Sequence, residues 1–233
     1  MARDSGAESL ATALARMARD LLSQETVQQT LDRIVAHAVS LVRGCEFAGI
    51  LTVEGGRLRT LASSDEAARE SDRIQVELGE GPCLDSTLEE HHVFRIADVT
   101  TAEDRWPRYA PKARELGIGS AMGFLLYTRD RNLGALTLYG RAPNAFTEHS
   151  EHVGWLLASH AAVAFASARS DAQLQQAVAS RQEIGEALGI VMERHKLTGQ
   201  QAFEMLRKES QERNVKLREL ARMLTETGEL PSQ

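Results

Sequence analysis

The chain has 233 residues, enough for two domains of modest size. Apolar residues make up 42% and charged residues 26% of the sequence, ordinary values for a globular protein that argue against wholesale disorder. The 27 Lys and Arg residues are outnumbered by 33 Asp and Glu residues, which gives a net charge of −6. This charge argues against a surface coated with cations for indiscriminate nucleic-acid binding, but it leaves room for a local basic face.

Neither secretion nor membrane insertion is expected from the cysteines and the apolar segments. Cys45 and Cys83 are too few for a Cys-rich zinc site or a disulfide-stapled secreted domain. Residues 1–9 are polar, unlike a signal peptide. The most apolar window, residues 153–168, is short and rich in alanine, so it predicts a buried or dimerising helix rather than a membrane span. We expect a cytoplasmic protein without a metal or cofactor.

Two helices are predicted before the first strand. The apolar residues of the first helix are spaced as in the seam of a short coiled coil: Leu10, Leu14, Met17 and Leu21. Residues 1–22 are therefore predicted to form an N-terminal helix that can dimerise. Ser23 is a candidate N-cap of the second helix, and Gly44 is placed to end that helix in the left-handed conformation.

Strand-like runs and helical stretches alternate in the middle of the chain. The five predicted strands span residues 47–54, 57–63, 93–99, 120–127 and 133–139. Gly55 and Gly56 predict a hairpin turn between the first two strands, and the last two strands are predicted to pair as an antiparallel hairpin. A polar helix is predicted over residues 105–116. Because helices interrupt the strands and flank them at both ends, the predicted fold class is α+β with one antiparallel sheet.

A helical pattern without proline runs from Thr147 to about His195. Within it, residues 169–180 form a predicted helical connector, in which Leu174 and Val178 are the only larger apolar residues. A helix this weakly amphipathic is marginal by itself, so pairing with a second chain would explain it. The sequence leaves open whether the helix is continuous or breaks within the connector.

Three amphipathic helices are predicted for residues 181–233. The first has one apolar face: Ile184, Ala187, Leu188, Val191 and Met192. Thr198 and Gln201 form a capping-box pattern at the start of the second helix. The predicted core face of that helix holds Ala202, Phe203 and Leu206. Asn214 is a candidate cap of the third helix, whose apolar face repeats at helical spacing: Leu217, Leu220, Ala221 and Leu224.

These C-terminal residues resemble the ANTAR domain, a three-helix RNA-binding module of bacterial transcription antiterminators. The resemblance is carried by residues 184–192 (IGEALGIVM), residues 202–207 (AFEMLR), Ser210, Asn214, Lys216, Leu217 and Ala221. Leu188 departs from the pattern, because many members carry lysine at that position. The resemblance implies an RNA-binding domain of three helices at the end of the chain.

The region of residues 23–168 is similar to GAF domains, which are small-molecule sensors. The similarity is carried by residues 79–85 (GEGPCLD), by residues 96–98 (IAD) and by the paired late strands. It is strengthened by the domain order, since this kind of GAF domain commonly precedes ANTAR. The signature of cyclic-nucleotide-binding GAF domains is absent, so no cyclic nucleotide is expected and the ligand stays unknown.

The large residues of the GAF-like region have two interpretations. They can line a ligand cavity or fill it: Trp106, Tyr109, Phe124, Leu126 and Tyr139. Cys83 lies in a Gly-Pro loop, and a thiol without a resolving partner is usually structural. Because the sequence has neither a nucleophile elbow nor a phosphate-binding loop, catalysis is not expected.

The ANTAR resemblance implies RNA contact through cations and a polar residue of the last helices. The candidates are Arg181, Lys196, Arg207, Lys208, Arg213, Asn214, Lys216 and Arg218. Cations neutralise phosphates, and a helix N-terminus after Asn214 can add backbone N–H donors. The alternative is a solvated face crossed by ion pairs such as Glu212–Lys216. Phe203, by its place on the apolar face, is expected to pack in the core rather than on a base.

By resemblance, we expect an antitermination regulator that binds nascent mRNA with paired stem-loops, controlled by the GAF-like domain. Two stem-loops require two binding domains, which a homodimer through the helical stalk would supply. A small molecule of unknown identity would be the signal. Two rival hypotheses stay open: the C-terminal helices bind a protein partner, as their balanced charge favours, or they bind DNA.

Overall fold

The computed structural model describes residues 2–54, 57–84, 93–129 and 131–229. It divides into two compact units, Met1–Arg169 and Ser170–Gln233. The elements of the first unit are α1 (Ala2–Leu22), α2 (Val27–Leu41), β1 (Phe47–Glu54), β2 (Arg57–Ser63), α3 (Glu66–Leu78), β3 (Val93–Ile96), a 3-10 helix (Val99–Asp104), α4 (Tyr109–Glu115), β4 (Ser120–Thr128) and β5 (Arg131–Gly140). Helix α5 (Glu148–His195) begins in the first unit and ends in the second, which also holds α6 (Gly199–Arg213) and α7 (Leu217–Thr227).

The five strands form one antiparallel sheet in the order β2-β1-β5-β4-β3. In its centre, Phe47 of β1 pairs with Tyr139 of β5, and Met122 of β4 pairs with Leu138 of β5. The predicted α+β class with one antiparallel sheet is confirmed, and so are the predicted bounds of β1 and β2. The hairpin turn predicted at residues 55–56 lies outside the described residues.

Two elements between β2 and β4 are shorter than predicted. Strand β3 ends at Ile96 because Asp98 caps the 3-10 helix, its carboxylate accepting the backbone N–H of Thr100 at 2.9 Å. Helix α4 begins at Tyr109 rather than at residue 105. The reason is that the backbone N–H of Trp106 still donates to the carbonyl of Ala102, at 2.8 Å, and so closes the 3-10 helix.

Helix α2 packs on one face of the sheet, α1 packs on α2, and the start of α5 lies over Phe124 in the same apolar cluster. The predicted coiled-coil seam lies there: Leu14, Met17 and Leu21 are buried in one cluster with Ile34 and Leu136, and Leu10 packs against it. The chain's own apolar cluster therefore covers this seam, and dimerisation of the N-terminal helix stays a prediction. The apolar spacing predicted the buried face of the helix correctly, but not its partner.

The caps of α2 differ from those predicted. Ser23 is not its N-cap, since the Ser23 backbone N–H donates to the carbonyl of Arg19 at 3.1 Å and so closes α1. Thr26 caps α2 in a capping box with Gln29. Gly44 has the expected positive φ of +89°, but the helix ends two residues earlier, at the C-cap Val42.

The opposite face of the sheet is covered by α3, α4 and the 3-10 helix. Trp106, Tyr109 and Tyr139 are buried there, and Tyr139 stacks on Phe47 with ring centroids 5.4 Å apart. On the first face, Phe124 and Leu126 are buried in the cluster that α1, α2 and the start of α5 share, with Phe124 directly against Gly154. The large residues whose role the sequence left open therefore fill the centre of both faces.

Helix α5 is one unbroken helix of 48 residues, so the connector is part of it. In the connector, Leu174 is 65% and Val178 59% exposed. In the parts of the chain that the structure describes, neither α5 nor any other helix is apolar enough over a sufficient length to cross a membrane.

The second unit is a three-helix bundle around a small apolar core. The end of α5 supplies Ala187 and Val191, and the other buried residues come from α6 and α7: Ala202, Leu206, Leu220, Ala221 and Leu224. The predicted Thr198–Gln201 capping box is confirmed. Two residues of the predicted apolar faces lie at the margin of this core: Met192 is 38% and Phe203 37% exposed.

Candidate nucleic-acid interface and buried polar cluster

Half of the eight residues predicted to bind RNA are cations held in ion pairs with nearby glutamates. The pairs are Lys196 with Glu193, Arg207 with Glu204 at 3.2 Å, Lys208 with Glu212 at 3.7 Å, and Arg213 with Glu209 at 2.8 Å. These pairs agree with the alternative of an ion-paired face, although Glu212, the example given for it with Lys216, pairs with Lys208 instead. The Arg213–Glu209 pair is half-buried and the other three are exposed. Exposed pairs stabilise a fold little, but all four pairs reduce the positive charge offered to an anion.

The other three predicted cations have no ion-pair partner among the described residues. They are Arg181 of α5, Lys216 directly before α7, and Arg218 in the first turn of α7. Arg218 lines a surface pocket of about 270 Å³ together with Arg222, one turn further along α7. Arg222 was not predicted as a site residue; its spacing of four from Arg218 was the available signal.

Asn214 shapes the turn that presents these cations. It ends α6 as a left-handed C-cap with φ +53°, so its predicted role as the cap that starts the third helix is wrong. The turn is closed by Ser210, whose hydroxyl donates to the carbonyl of Val215 at 2.6 Å and whose carbonyl accepts the N–H of Val215 at 3.1 Å. Lys216 is thereby fixed at the entrance of α7.

The N-terminus of α7 is uncapped by any side chain of the described residues. The carbonyl of Lys216 accepts the N–H groups of Glu219 and Leu220, at 2.8 and 3.0 Å, which starts the helix. The preceding N–H groups have no helical acceptor, and the helix dipole places partial positive charge on them. Lys216 and Arg218 lie beside them and outnumber the one carboxylate of this first turn, Glu219, so this arrangement can bind a phosphate.

Phe203 is exposed on α6, against the sequence prediction of a core position. It is the only aromatic residue of the second unit within the described part of the chain. The buried stripe of α6 consists of Ala202 and Leu206, which are four residues apart. Because this stripe is narrow, the neighbouring Phe203 lies at its edge. Phe203 is four residues from Arg207 on the same side of the helix, a spacing that brings a ring and a guanidinium together. The exposed ring of Phe203 can stack on a nucleic-acid base.

A buried polar cluster lies between α3 and the sheet in the first unit. Asp72 is its charged member: its Oδ2 accepts from the hydroxyl of Thr60 at 2.9 Å, and its Oδ1 accepts from the hydroxyl of Tyr139 at 3.2 Å. The hydroxyls of Ser71 and Tyr109 are 2.8 Å apart. Burial raises the pKa of Asp72 to about 6, against the lowering effect of its two hydrogen bonds.

Cys83 is a buried member of the same cluster. Its backbone N–H donates to Oε1 of Gln75 at 2.9 Å, and its Sγ lies 3.4 Å from the hydroxyl of Thr137. Burial, and secondarily the charge of Asp72, raise the pKa of the Cys83 thiol to about 12. The thiolate needed for nucleophilic or redox chemistry is therefore disfavoured at neutral pH.

Family comparisons match both parts of the chain. A GAF domain model matches residues 24–166, and an ANTAR domain model matches residues 172–224. The ANTAR match takes in most of the segment predicted as connector. No curated protein matches the chain.

Solved structures resemble the first unit. A domain of a two-component sensor histidine kinase protein from Sinorhizobium meliloti 1021 is 19% identical, with TM-score 0.53, covering 66% of this chain and 99% of that one. The GAF domain of a phosphoenolpyruvate-protein phosphotransferase from Coxiella burnetii is 18% identical, with TM-score 0.55, covering 70% and 96%. The corresponding GAF domain from Acinetobacter is 16% identical, with TM-score 0.51, covering 69% and 94%. At these identities the likeness shows the fold alone.

Proposed function

This chain belongs to the GAF domain family and carries an ANTAR domain behind its GAF domain, and on that premise we propose that it is a transcription antitermination regulator that binds structured mRNA. The observation that carries the proposal is the uncapped N-terminus of α7, with Lys216 and Arg218 beside it and no ion pair to either cation from the described residues. In the proposed complex these two cations and the helix N–H groups hold RNA phosphates. The exposed amide of Asn214 reaches a base edge or a 2′-hydroxyl.

Phe203 supplies the second part of the proposed RNA interface. Folded RNA is recognised largely through splayed loop bases, which stack on aromatic rings. Its ring, 37% exposed, stacks on such a base in this proposal. Arg207 follows it by one turn, and its ion pair with Glu204 at 3.2 Å is exposed enough to exchange for a phosphate. Weaker, less directed attraction comes from the paired cations Lys196, Lys208 and Arg213, and from Arg181, which forms no ion pair within the described ranges.

A homodimer through α5 is part of the proposal. Leu174 and Val178 lie four residues apart and are 65% and 59% exposed, which is unfavourable for a helix in water. A second α5 covering this stripe would bury both side chains. Two ANTAR domains in one dimer then engage two stem-loops of one RNA, so that the second contact becomes intramolecular.

The GAF domain acts as the sensor in this proposal. Helix α5 begins in the GAF domain, where Val153, Leu157 and Phe165 are buried, and it continues into the ANTAR domain. A ligand that binds one conformation of the GAF domain better shifts the packing of this shared helix. The protein works in the cytoplasm, on RNA as it is transcribed, and it is a regulator without catalytic activity.

One rival is favoured by a specific observation. The ion pairs along α6 leave that helix nearly neutral, and an exposed aromatic such as Phe203 is a common anchor in protein interfaces.

A titration separates the hypotheses: the full chain is mixed with a two-stem-loop RNA, a scrambled RNA and a duplex DNA at several salt concentrations. Selective binding of the stem-loop RNA supports antitermination. Equal affinity for the duplex favours DNA binding, and binding to none of the three favours a protein partner.

A further inference from the structure

A cavity of about 420 Å³ lies in the GAF domain between the edge strand β2 and helix α3. Its volume falls within the range of small-molecule sites. The centre of the same sheet face is filled by Trp106, Tyr109 and Tyr139. Space for a ligand is therefore at the edge of the sheet, beside α3.

Three apolar side chains form the walls of the cavity. Leu51 of β1 is buried at its floor, Leu58 of β2 is half-buried, and Val76 of α3 is 44% exposed. A valine in this position is in contact with water unless something apolar covers it. The walls therefore favour a ligand with an apolar body, which gains free energy from leaving water.

Arg69 of α3 provides a positive charge at the rim. It is exposed, and among the described residues its guanidinium has no ion-pair partner. Arg73, one turn further along and also at the cavity, is held between Glu70 and Glu77. The charge of Arg69 is thus free to pair with a carboxylate, which a guanidinium binds through two parallel hydrogen bonds.

Asp72 presents an acceptor inside the same cavity. It is buried and accepts one hydroxyl on each oxygen, from Thr60 and Tyr139, and each oxygen has a second lone pair. A ligand that turned only apolar atoms toward this carboxyl would desolvate it without compensation. Asp72 follows Arg69 by three residues on α3, so the two side chains are neighbours on one side of the helix.

We propose that this cavity binds a small hydroxylated carboxylic acid. The carboxylate pairs with Arg69, the apolar body lies on Leu58 and Val76, and the hydroxyl donates to Asp72. An acid without a hydroxyl leaves Asp72 unmatched, and an amine without an acid leaves Arg69 unmatched. The inference deepens the sensing role in the proposed function and rests on it for its regulatory meaning, but the binding is measured without RNA.

The test is isothermal titration calorimetry of the full chain with two hydroxy acids of different shape, 4-hydroxyphenylacetate and 8-hydroxyoctanoate. We expect saturable binding of at least one, and binding weaker by about tenfold or more for its counterpart without the hydroxyl, phenylacetate or octanoate. Tyramine, which keeps the phenol but replaces the acid with an amine, binds more weakly still.

Variants of Arg69 test the proposed contact. Arg69→Gln weakens binding of the hydroxy acid about tenfold or more, and Arg69→Lys retains part of the affinity because it keeps the charge. The matched control is Arg16→Gln, which removes an exposed arginine of α1 and leaves binding unchanged. Because Arg69 is exposed, its variants keep the fold, which thermal unfolding verifies.

Three results overturn the inference. They are the absence of saturable binding of either hydroxy acid up to about 10 mM, preference for tyramine, and affinity that Arg69→Gln leaves unchanged. The RNA titration is read on the same protein. RNA binding without acid binding refutes the ligand class alone, whereas acid binding without RNA binding refutes the antitermination role alone.

Discussion

Glu212 pairs with Lys208, whose Nζ lies 3.7 Å from its Oε1, and not with Lys216. Both lysines are four residues from Glu212 in sequence, so helical spacing permits either pair. The chain leaves the helix at Asn214, in the left-handed conformation, and this turns Lys216 away from the α6 face. As a consequence, the positive charge of Lys216 stays at the start of α7, where the proposed function needs it.

Phe203→Leu is expected to weaken the binding of stem-loop RNA about tenfold or more, since stacking on a base is worth roughly 1–3 kcal/mol. Leucine keeps an apolar side chain at this exposed position, so the free energy of unfolding changes by less than about 0.5 kcal/mol. RNA titration and urea unfolding measure the two effects. Leu206→Ala is the contrasting control: it removes a fully buried side chain and lowers stability by about 2–5 kcal/mol. RNA affinity unchanged in Phe203→Leu would contradict the stacking role.

Asp20→Asn is expected to lower the free energy of unfolding by about 1 kcal/mol at neutral pH. Asp20 of α1 joins two residues of α2: its Oδ2 accepts from Nε of Arg33 at 2.7 Å and lies 2.7 Å from Nε2 of His37. Burial acts to raise the pKa of Asp20, but the hydrogen bonds and charges of His37 and Arg33 outweigh it, so the net pKa is lowered.

The sign of that shift determines the pH dependence. A lowered pKa stabilises the fold above the unfolded value of about 4, and the contribution is lost as the pH falls through the folded pKa. Urea unfolding at about pH 7 and pH 3 is therefore expected to show a smaller difference between wild type and Asp20→Asn in acid. Asp32→Asn on the exposed side of α2 is the control. The same difference at both pH values would argue against the ionic link.

The free energy of unfolding of Asp72→Asn is expected to increase relative to that of wild type as the pH rises. Burial raises the pKa of Asp72 to about 6, so the protonated carboxyl contributes stability that is present below about pH 4 and lost as the pH rises through 6. Asparagine does not ionise, and its stability relative to wild type therefore increases by on the order of 2 kcal/mol between pH 4 and pH 7. Urea unfolding measures this, with the exposed Asp171→Asn as control. If the difference in free energy of unfolding between Asp72→Asn and wild type stays constant from about pH 4 to pH 7, the raised pKa is refuted.

Leu174→Glu combined with Val178→Glu is expected to convert the proposed dimer to a monomer. The two side chains are exposed along α5, and two glutamates in a helix–helix interface would place unpaired charge in it. Sedimentation equilibrium measures the mass. Gln173→Glu with Gln175→Glu adds the same charge to the same helix at exposed polar positions and leaves the dimer intact. A wild-type monomer at all concentrations would remove the dimer from the account.

The sheet was predictable from sequence because its signals are local. Two short strand-like runs separated by the Gly55-Gly56 pair predicted the bounds of β1 and β2. The partner of an apolar face is a different matter, since spacing identifies a buried stripe without telling what covers it. The seam around Met17 had the spacing of a coiled coil and packs instead into its own chain.

Several features of the candidate sites could not be predicted from the sequence, because they depend on the three-dimensional structure. Asparagine is favoured both as a helix N-cap and in the left-handed C-cap, so the role of Asn214 depended on where α6 ends. Phe203 and Ala202 are adjacent in sequence, and the width of the buried stripe on α6 determines that Ala202 is buried and Phe203 exposed. The cavity beside Arg69 and Val76 arises from the way α3 packs on β2, which no local pattern encodes.

The measurement that tests the central claim most directly is an RNA titration of Lys216→Glu with Arg218→Glu, by fluorescence anisotropy across salt concentrations. We expect the wild type to bind the two-stem-loop RNA selectively. The double variant should bind more than about tenfold more weakly, with a salt slope reduced by about 2 because two phosphate contacts are lost. The control, Arg16→Glu with Arg129→Glu, makes the same change in net charge on the first unit and should bind like wild type. Wild-type affinity and slope in the double variant would contradict the proposed interface at the start of α7.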